Sequence, residues 1–385
     1  MATGPLQGLK VLELAAIGPV PMAATLLADL GAEVLRVDRS EPSGLGLNVP
    51  PPLDVHSRSR RSIALDLKRP EAREVLLRLI DRSDVLLEGF RPGVAERLGL
   101  DPAALLKRQP RLVVGRMTGW GQSGPLAQAA GHDLNYLALT GALAAIGPRD
   151  GPPQPPLNLV ADYGGGALYL AFGVMAALWE RSHSGRGQVV DAAMVDGVAS
   201  LMGMFNGLAA AGLWNTRQRQ ANLLDGGAPW YACHRCACGG WLSVAALEPR
   251  FFANFVRVTG LDPAWGARQY ERESWPELHA TIAACIASRS QADWLLAFDG
   301  QEACVAPVLG LHEAPLHPHA QARAAYVQVG GHWQPAPAPR FSRSATAAPQ
   351  AGPLAGADSA AVLAEAGYSD GEIDALRTGR VFSES

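Results

Sequence analysis

The 385-residue chain has little of what would mark several common protein classes. Five cysteines are odd in number and too few for a disulfide scaffold, and Cys285 and Cys304 lie in apolar stretches that suit reduced core thiols. Cys233, Cys236 and Cys238 cluster with His234, but a closed zinc site needs four ligands, normally as two separated pairs. No second pair follows nearby, and Gly239-Gly240 makes a β-hairpin the simpler account, so no metal is expected. Charge is sparse and balanced: 18% of residues are charged and the formal net charge is −3, which leaves no broad basic field for nucleic acid. No apolar run reaches the roughly 20 residues of a membrane span; the longest, 167–179, reads as a buried helix, and no membrane partner is expected. Met1-Ala2-Thr3-Gly4-Pro5 shows neither a basic nor an apolar leader region, so the expected location is cytoplasmic.

What is present describes a globular protein. Hydrophobic residues make up 48% of a chain long enough for two domains. Strand patterns at 9–14, 33–38, 85–88 and 112–116 alternate with helix patterns at 21–30, 70–82 and 102–107. This predicts an α/β fold: a Rossmann-like parallel sheet that binds its ligand beyond the carboxyl ends of the strands. Yet Gly-x-Gly-x-x-Gly is missing after the first strand, where Ala15-Ala16-Ile17-Gly18-Pro19 stands, and neither a Walker lysine loop nor a Gly-x-Ser-x-Gly elbow occurs. Dinucleotide, nucleoside triphosphate and serine-hydrolase readings fall with them. The expected division is a large domain over 1–190, a helical linker over 191–228, a smaller α+β domain over 229–325 and a C-terminal segment over 326–385. The Pro- and Gly-rich stretch 40–55 reads as irregular, and the Pro/Ala tract 334–340 as an extended crossing.

Two proton carriers stand out, His132 in Gly131-His132-Asp133 and Asp162 in Ala161-Asp162-Tyr163-Gly164-Gly165-Gly166. Both sit among apolar residues and glycines that exclude water and let backbone approach a ligand, a setting in which they serve opposite faces of one carbon. Taken singly, each also reads as a helix cap or a satisfied core residue. The glycine run reads as the start of a helix reaching about residue 181, either to meet an oxyanion or to pack closely. Glu248, in Leu247-Glu248-Pro249, reads as an orienting carboxylate for an imidazole or as an ordinary acid at a helix start. Met202, Met204 and Phe205 offer either an adaptable apolar surface or core packing.

Gly8-Leu9-Lys10-Val11-Leu12-Glu13-Leu14, Gly89-Phe90-Arg91-Pro92-Gly93, Gly119-Trp120-Gly121-Gln122-Ser123-Gly124-Pro125 and Gly185-Arg186-Gly187-Gln188-Val189-Val190-Asp191 resemble the family III CoA-transferase superfamily in order and spacing. Through Gly131-His132-Asp133, Leu224-Asp225-Gly226-Gly227-Ala228-Pro229 and Ala246-Leu247-Glu248-Pro249-Arg250 the chain is most similar to the α-methylacyl-CoA racemase branch. The resemblance implies an interlocked homodimer whose C-terminal segment returns to the large domain. It also implies a 2-methylacyl-CoA substrate that carries its own CoA, with no further cofactor. His132, Asp162 and Glu248 become the catalytic set. CoA contacts fall on Arg39, on Leu65, Asp66, Leu67 and Lys68, on Gly89, Phe90, Arg91 and Arg97, and on Gly131, Asp133, Leu134, Asn135 and Tyr136. Arg58, Arg60 and Arg61 form a basic run that matches less specifically.

Acidity of a carbon next to a thioester rests on enolate formation, so a base works there only where the enolate oxygen is stabilised. An imidazole, ordinarily near ~6.5, suits one face, whereas an aspartate, ordinarily near ~3.9, must be desolvated to hold a proton on the other. The expected reaction is 1,1-proton transfer. The transferase branch of the same superfamily uses the aspartate as a nucleophile that forms a mixed anhydride and generally lacks the histidine, so CoA transfer between carboxylic acids is the alternative.

Overall fold

The computed structural model describes residues 3–384 except 42, 43, 45, 46 and 48, so part of the irregular stretch 40–55 lies outside the described residues. The chain forms two units: residues 1–140, 157–201 and 319–385 make the first, and 141–156 with 202–318 make the second. The changeover at 201 and 202 splits the segment read as a linker. Residues 222–229 form a turn-rich loop around Asp225, whose carboxylate accepts from the N–H groups of Ala221, Asn222 and Gly227, and Asn222 is buried.

The first unit is built on a seven-stranded sheet. Strands β1 (Lys10–Leu14), β2 (Glu33–Arg39), β3 (Arg61–Leu65), β4 (Val85–Glu88), β5 (Val113–Thr118) and β6 (Val189–Ala193) are parallel, in the order β3-β2-β1-β4-β5-β6. The C-terminal strand Phe382–Ser383 closes the β3 edge in antiparallel fashion, so the tail is folded into this unit. Runs such as Val85-Leu86-Leu87 are buried on both faces, as strands covered by helices on each side must be. Packed around them are α1 (Pro19–Asp29), α2 (Pro70–Ile80), α3 (Val94–Arg97) and α4 (Pro102–Arg108).

Strand β3 replaces part of the basic run 58–68. Its polar residues are buried by pairing: Arg60 meets Glu13 at 2.8 Å with both side chains fully enclosed, and Ser62 donates to Asp38 Oδ2 at 2.7 Å. Arg58 is locked to Asp29 at 2.5 Å and also donates to Gln334 Oε1 and the Pro335 carbonyl. Gln334 and Pro335 belong to a hairpin, Tyr326–Val329 with His332–Pro335, which takes up the start of the Pro/Ala tract.

After β5 come α5 (Asp133–Leu139), a nine-residue π-helix (Leu159–Ala167), α6 (Leu168–Ser184) and α7 (Met194–Leu201). The glycine run therefore lies inside a helix and does not begin one. Close packing is its use: a Cβ on Gly165 would meet the Val198 nitrogen at 2.8 Å, and one on Gly197 would meet the Gly165 oxygen at 1.9 Å, so the π-helix and α7 touch backbone to backbone. The continuous helical run Leu159–Ser184 is long and apolar enough to cross a membrane by length and composition, longer than the run read from sequence. It is not buried throughout. Leu170, Val174 and Ala177 of α6 are enclosed, Leu170 and Val174 against Gly115 of β5, while Phe172 and Trp179 are 75% and 71% exposed.

The second unit carries an antiparallel sheet of β7 (Tyr231–Arg235), β8 (Trp241–Ala245) and β9 (Val305–Pro307), with helices at Pro249–Thr259, Trp275–Ile286 and Gln291–Phe298. Trp230, Phe252, Phe255 and Trp294 form its core. The cysteine-bearing segment is the β7–β8 hairpin, closed by a hydrogen bond from Cys236 N–H to the Gly240 carbonyl. Among the described residues no group of three His, Cys, Asp or Glu side chains is placed to hold a metal. Cys236 is the buried thiol; Cys285 is half-buried and Cys304, in the turn ahead of the edge strand β9, is exposed, contrary to a core reading of both.

His234 on β7 is buried, and its Nε2 donates to the Pro229 carbonyl at 2.8 Å. Burial pushes its pKa down to about 4, against the bond to Pro229. The unfolded chain protonates this ring near ~6.5, so stabilisation present above that pH is lost as pH falls towards 4, on the order of 3 kcal/mol in all. Urea midpoints followed by tryptophan fluorescence should fall across this window. His234→Gln, which keeps a donor for Pro229 without a titrating ring, should flatten the dependence.

Candidate active site

Asp162 is held on three sides within the first unit. It stands on the π-helix, where Asn158 Nδ2 donates to its Oδ2 at 3.2 Å. Below it, Asp133 Oδ1 accepts from the N–H groups of Ala161 at 3.0 Å and Asp162 at 2.8 Å. These amides belong to the first turn, which has no intrahelical acceptors to offer them. Opposite lies Gly18, which caps α1 with φ 70° and whose Cβ position is only 3.2 Å from Asp162 Oδ2. Its conformation and the space left by the carboxylate both select glycine. Burial raises the Asp162 pKa above the ordinary carboxylate value; Asn158 opposes this, Asp133 adds to it and the nearby His132 ring lowers it.

His132 is the N-cap of α5, with extended backbone at φ −133° and ψ 175°. Its N–H donates to Asn135 Oδ1 at 3.1 Å, so Asn135 fixes the backbone while the imidazole stays exposed. Two residues identified with CoA therefore have structural work to do. Asn135 orients His132, and the Asp133 side chain is committed to the π-helix, leaving its backbone for any ligand. Tyr136 is also engaged, since its hydroxyl donates to the Gly131 carbonyl and its ring stands edge-on to Trp120 at 4.7 Å. Its phenol pKa is raised by burial and by Asp162, and the nearby Arg91 lowers it.

The remaining CoA candidates share one rim. Arg39 ends β2, Leu65 ends β3 with Asp66, Leu67 and Lys68 following, and Gly89, Phe90 and Arg91 follow β4. All lie at the carboxyl ends of parallel strands, and Arg97 follows on α3. Arg39, Lys68, Arg91 and Arg97 are exposed and form no ion pair among the described residues. Leu65 is buried in the core, so only its backbone can meet a ligand, and Asp66 is occupied by Arg69 at 3.3 Å. The Gly89 loop is braced from below: Phe90 N–H donates to Glu88 Oε2 at 2.6 Å, and Arg116 bridges Glu88 and Glu96. Arg58 and Arg60 are committed to buried ion pairs, and Arg61 pairs with Glu365.

A cavity of about 890 Å³ shares no residue with that rim and opens at the amino ends of the strands, beside Lys10, Glu33 and Arg82. In the second unit Glu248 is exposed at the N-cap of helix Pro249–Thr259, where the ordinary-acid reading puts it, and its side chain makes no capping bond. Met204 there is 55% exposed and is not core. Asn158, Gly18 and the commitment of Asp133 escaped the sequence reading. Only Asn158, one helical turn before Asp162, left a local signal.

The sequence pattern of CoA-transferase family III matches residues 6–359. The chain is 43% identical over 378 residues to the alpha-methylacyl-CoA racemase of Mus musculus, covering 98% of this chain and 97% of that one. It is 40% identical over 386 residues to the Homo sapiens alpha-methylacyl-CoA racemase, covering 99% and 98%. Among solved structures, a CAIB/BAIF family protein from Brucella suis superposes with a TM-score of 0.80 at 26% identity, over 94% of this chain and 100% of that one.

Proposed function

The chain belongs to CoA-transferase family III, and on that premise we propose that it is an α-methylacyl-CoA racemase, interconverting the epimers of 2-methylacyl-CoA thioesters through an enolate. One observation carries the choice of chemistry: the exposed imidazole of His132 adjoins Asp133, whose carboxylate accepts from the Asp162 N–H at 2.8 Å, so the two candidate proton carriers are held together by one hydrogen bond. His132 takes the proton from one face of the α-carbon and Asp162 returns one to the other, or the reverse. An aspartate that prefers its protonated form more than usual is suited to that exchange. The N–H groups of Asp133 and Leu134, in the first turn of α5, have no intrahelical acceptors and adjoin His132 in sequence, which makes them the donors proposed for the enolate oxygen. Arg39, Lys68, Arg91 and Arg97 supply cationic groups for the CoA phosphates. Proton transfer needs no metal or redox group, and CoA arrives as part of the substrate.

The proposal includes a homodimer with interlocked subunits, which the exposed Phe172 and Trp179 of α6 support as a surface for a second copy. Glu248 is proposed to orient the His132 imidazole or balance its cation in that assembly.

In deuterium oxide, a single epimer of a 2-methylacyl-CoA is expected to return both epimers with deuterium at the α-carbon and no acceptor acid present. Starting configuration and protium retained across several chain lengths would overturn the proposal. A hydroxylamine-trapped adduct on the peptide bearing Asp162, together with acyl transfer to an added acid, would replace it with the aspartyl-anhydride transferase reading.

A further inference from the structure

We infer that His56 is a positioning residue for proton transfer at Asp162, acting through a hydrogen bond to Tyr163; the inference rests on the racemase reading. His56 Nε2 and Tyr163 Oη are 2.9 Å apart, and the two rings meet edge to face at 5.4 Å. Tyr163 follows Asp162 on the π-helix, so the bond grips the segment one residue from the carboxylate. This contact joins parts of the chain 107 residues apart.

The mount on the other side is stiff. His56 lies in the single 3₁₀ turn Val55–Ser57, capped by Asp54, whose Oδ1 accepts from the His56 N–H at 3.0 Å. Two residues on, the buried Arg58 is bound to Asp29 at the end of α1 and to the hairpin at Gln334 and Pro335. Helix α1 is capped by Gly18, which abuts Asp162. The turn carrying His56 and the glycine facing the carboxylate are thus tied to one rigid helix.

A π-helix needs such ties. Its i→i+5 pattern is rare and competes with the ordinary α-helix, which turns each residue by a different angle. Asp133 holds the backbone of the first turn but does nothing to fix rotation beyond it. The Tyr163 side chain is the next lever along the helix, and His56 holds its far end.

The state of the imidazole fits a fixed strut. Burial lowers the His56 pKa, Asp54 and Asp29 oppose this, and Arg60 and Arg58 assist it, so the ring is neutral at pH 7. Its Nδ1 is buried with no hydrogen-bond partner among the described residues. A buried lone pair without a partner is tolerated better than a buried N–H, which places the proton on Nε2, donating to Tyr163 Oη. A glutamine at position 56 can supply the same donor, whereas a leucine cannot.

The test separates positioning from folding. Forward and reverse racemisation are linked by the equilibrium constant, so kcat/KM falls equally in both directions whichever base is displaced. Exchange of the α-hydrogen with solvent, with configuration retained, is free of that link. In deuterium oxide, His56→Leu and Tyr163→Phe are each expected to lower racemisation about tenfold or more. One epimer, whose hydrogen faces His132, should keep exchanging at the wild-type rate, while exchange of the other falls. The double variant should be no worse than either single one, and His56→Gln should recover most of the loss. Unchanged rates, or equal loss of exchange for both epimers, would overturn the inference. Wild-type enzyme that neither racemises nor exchanges would instead overturn the racemase reading beneath it.

Discussion

Asp162→Asn is expected to lower racemisation by about 10² to 10⁴ in both directions while one epimer goes on exchanging its α-hydrogen with deuterium oxide. His132→Ala should cost a similar factor and spare the opposite epimer. Asp162 is half-buried, which raises its pKa, and His132 stands exposed at the start of α5. Asparagine keeps the shape and the bond to Asn158 but carries no proton, so the enolate formed by His132 can be reprotonated only from the side it left. Net inversion stops and exchange continues. Proton NMR of each epimer, with chiral separation of the acyl groups, reads the two quantities in one sample. Loss of exchange for both epimers in one variant, with both kept in the other, would show that one base serves both faces. Full activity in either variant would remove that residue from the chemistry.

The sheet was legible because it is built from short, nearly continuous apolar runs punctuated by helices. β1, β2, β4 and β5 fall within two residues of the patterns that predict them. β3 was not legible as a strand, since Arg60 and Arg61 stand out as a basic run and Ser62 as polar until Glu13, Glu365 and Asp38 supply their partners. Those acids lie 24 to 304 residues away in sequence. The same limit applies to the site. His132 and Asp162 announce themselves by residue type and setting, but the contacts that fix them come from elsewhere in the chain. Asp133 reaches across 28 residues to the π-helix, and Gly18 meets the carboxylate from another helix cap. The glycine run illustrates the opposite failure: its composition allowed an oxyanion site or close packing, and only the contact of Gly165 with Gly197 decides for packing.

Removing the Asp133 carboxylate should be the most damaging change at a residue without a proton to transfer. Two amides, those of Ala161 and Asp162, lose their acceptor in Asp133→Ala, and Ala161 is fully buried. Leaving a buried N–H unpaired costs about 1–3 kcal/mol, so a loss of about 2–4 kcal/mol is expected for the pair. The first turn of the π-helix then loses the acceptor that anchors its backbone, and Asp162 moves with it. A displacement near 1 Å at a reacting group is worth about 10²-fold in rate, and kcat should fall by that order. Asp133→Asn distinguishes acceptor from charge. Burial raises the Asp133 pKa despite the two amides, so the site favours the ionised form less than water does, and a neutral carboxamide oxygen can take the place of Oδ1. Asparagine should therefore recover most of both the stability and the rate, read by urea denaturation and by steady-state racemisation. Asp133→Asn as inactive as Asp133→Ala, with stability restored, would mean that the negative charge itself acts on the reaction and that holding the π-helix is only part of what this residue does.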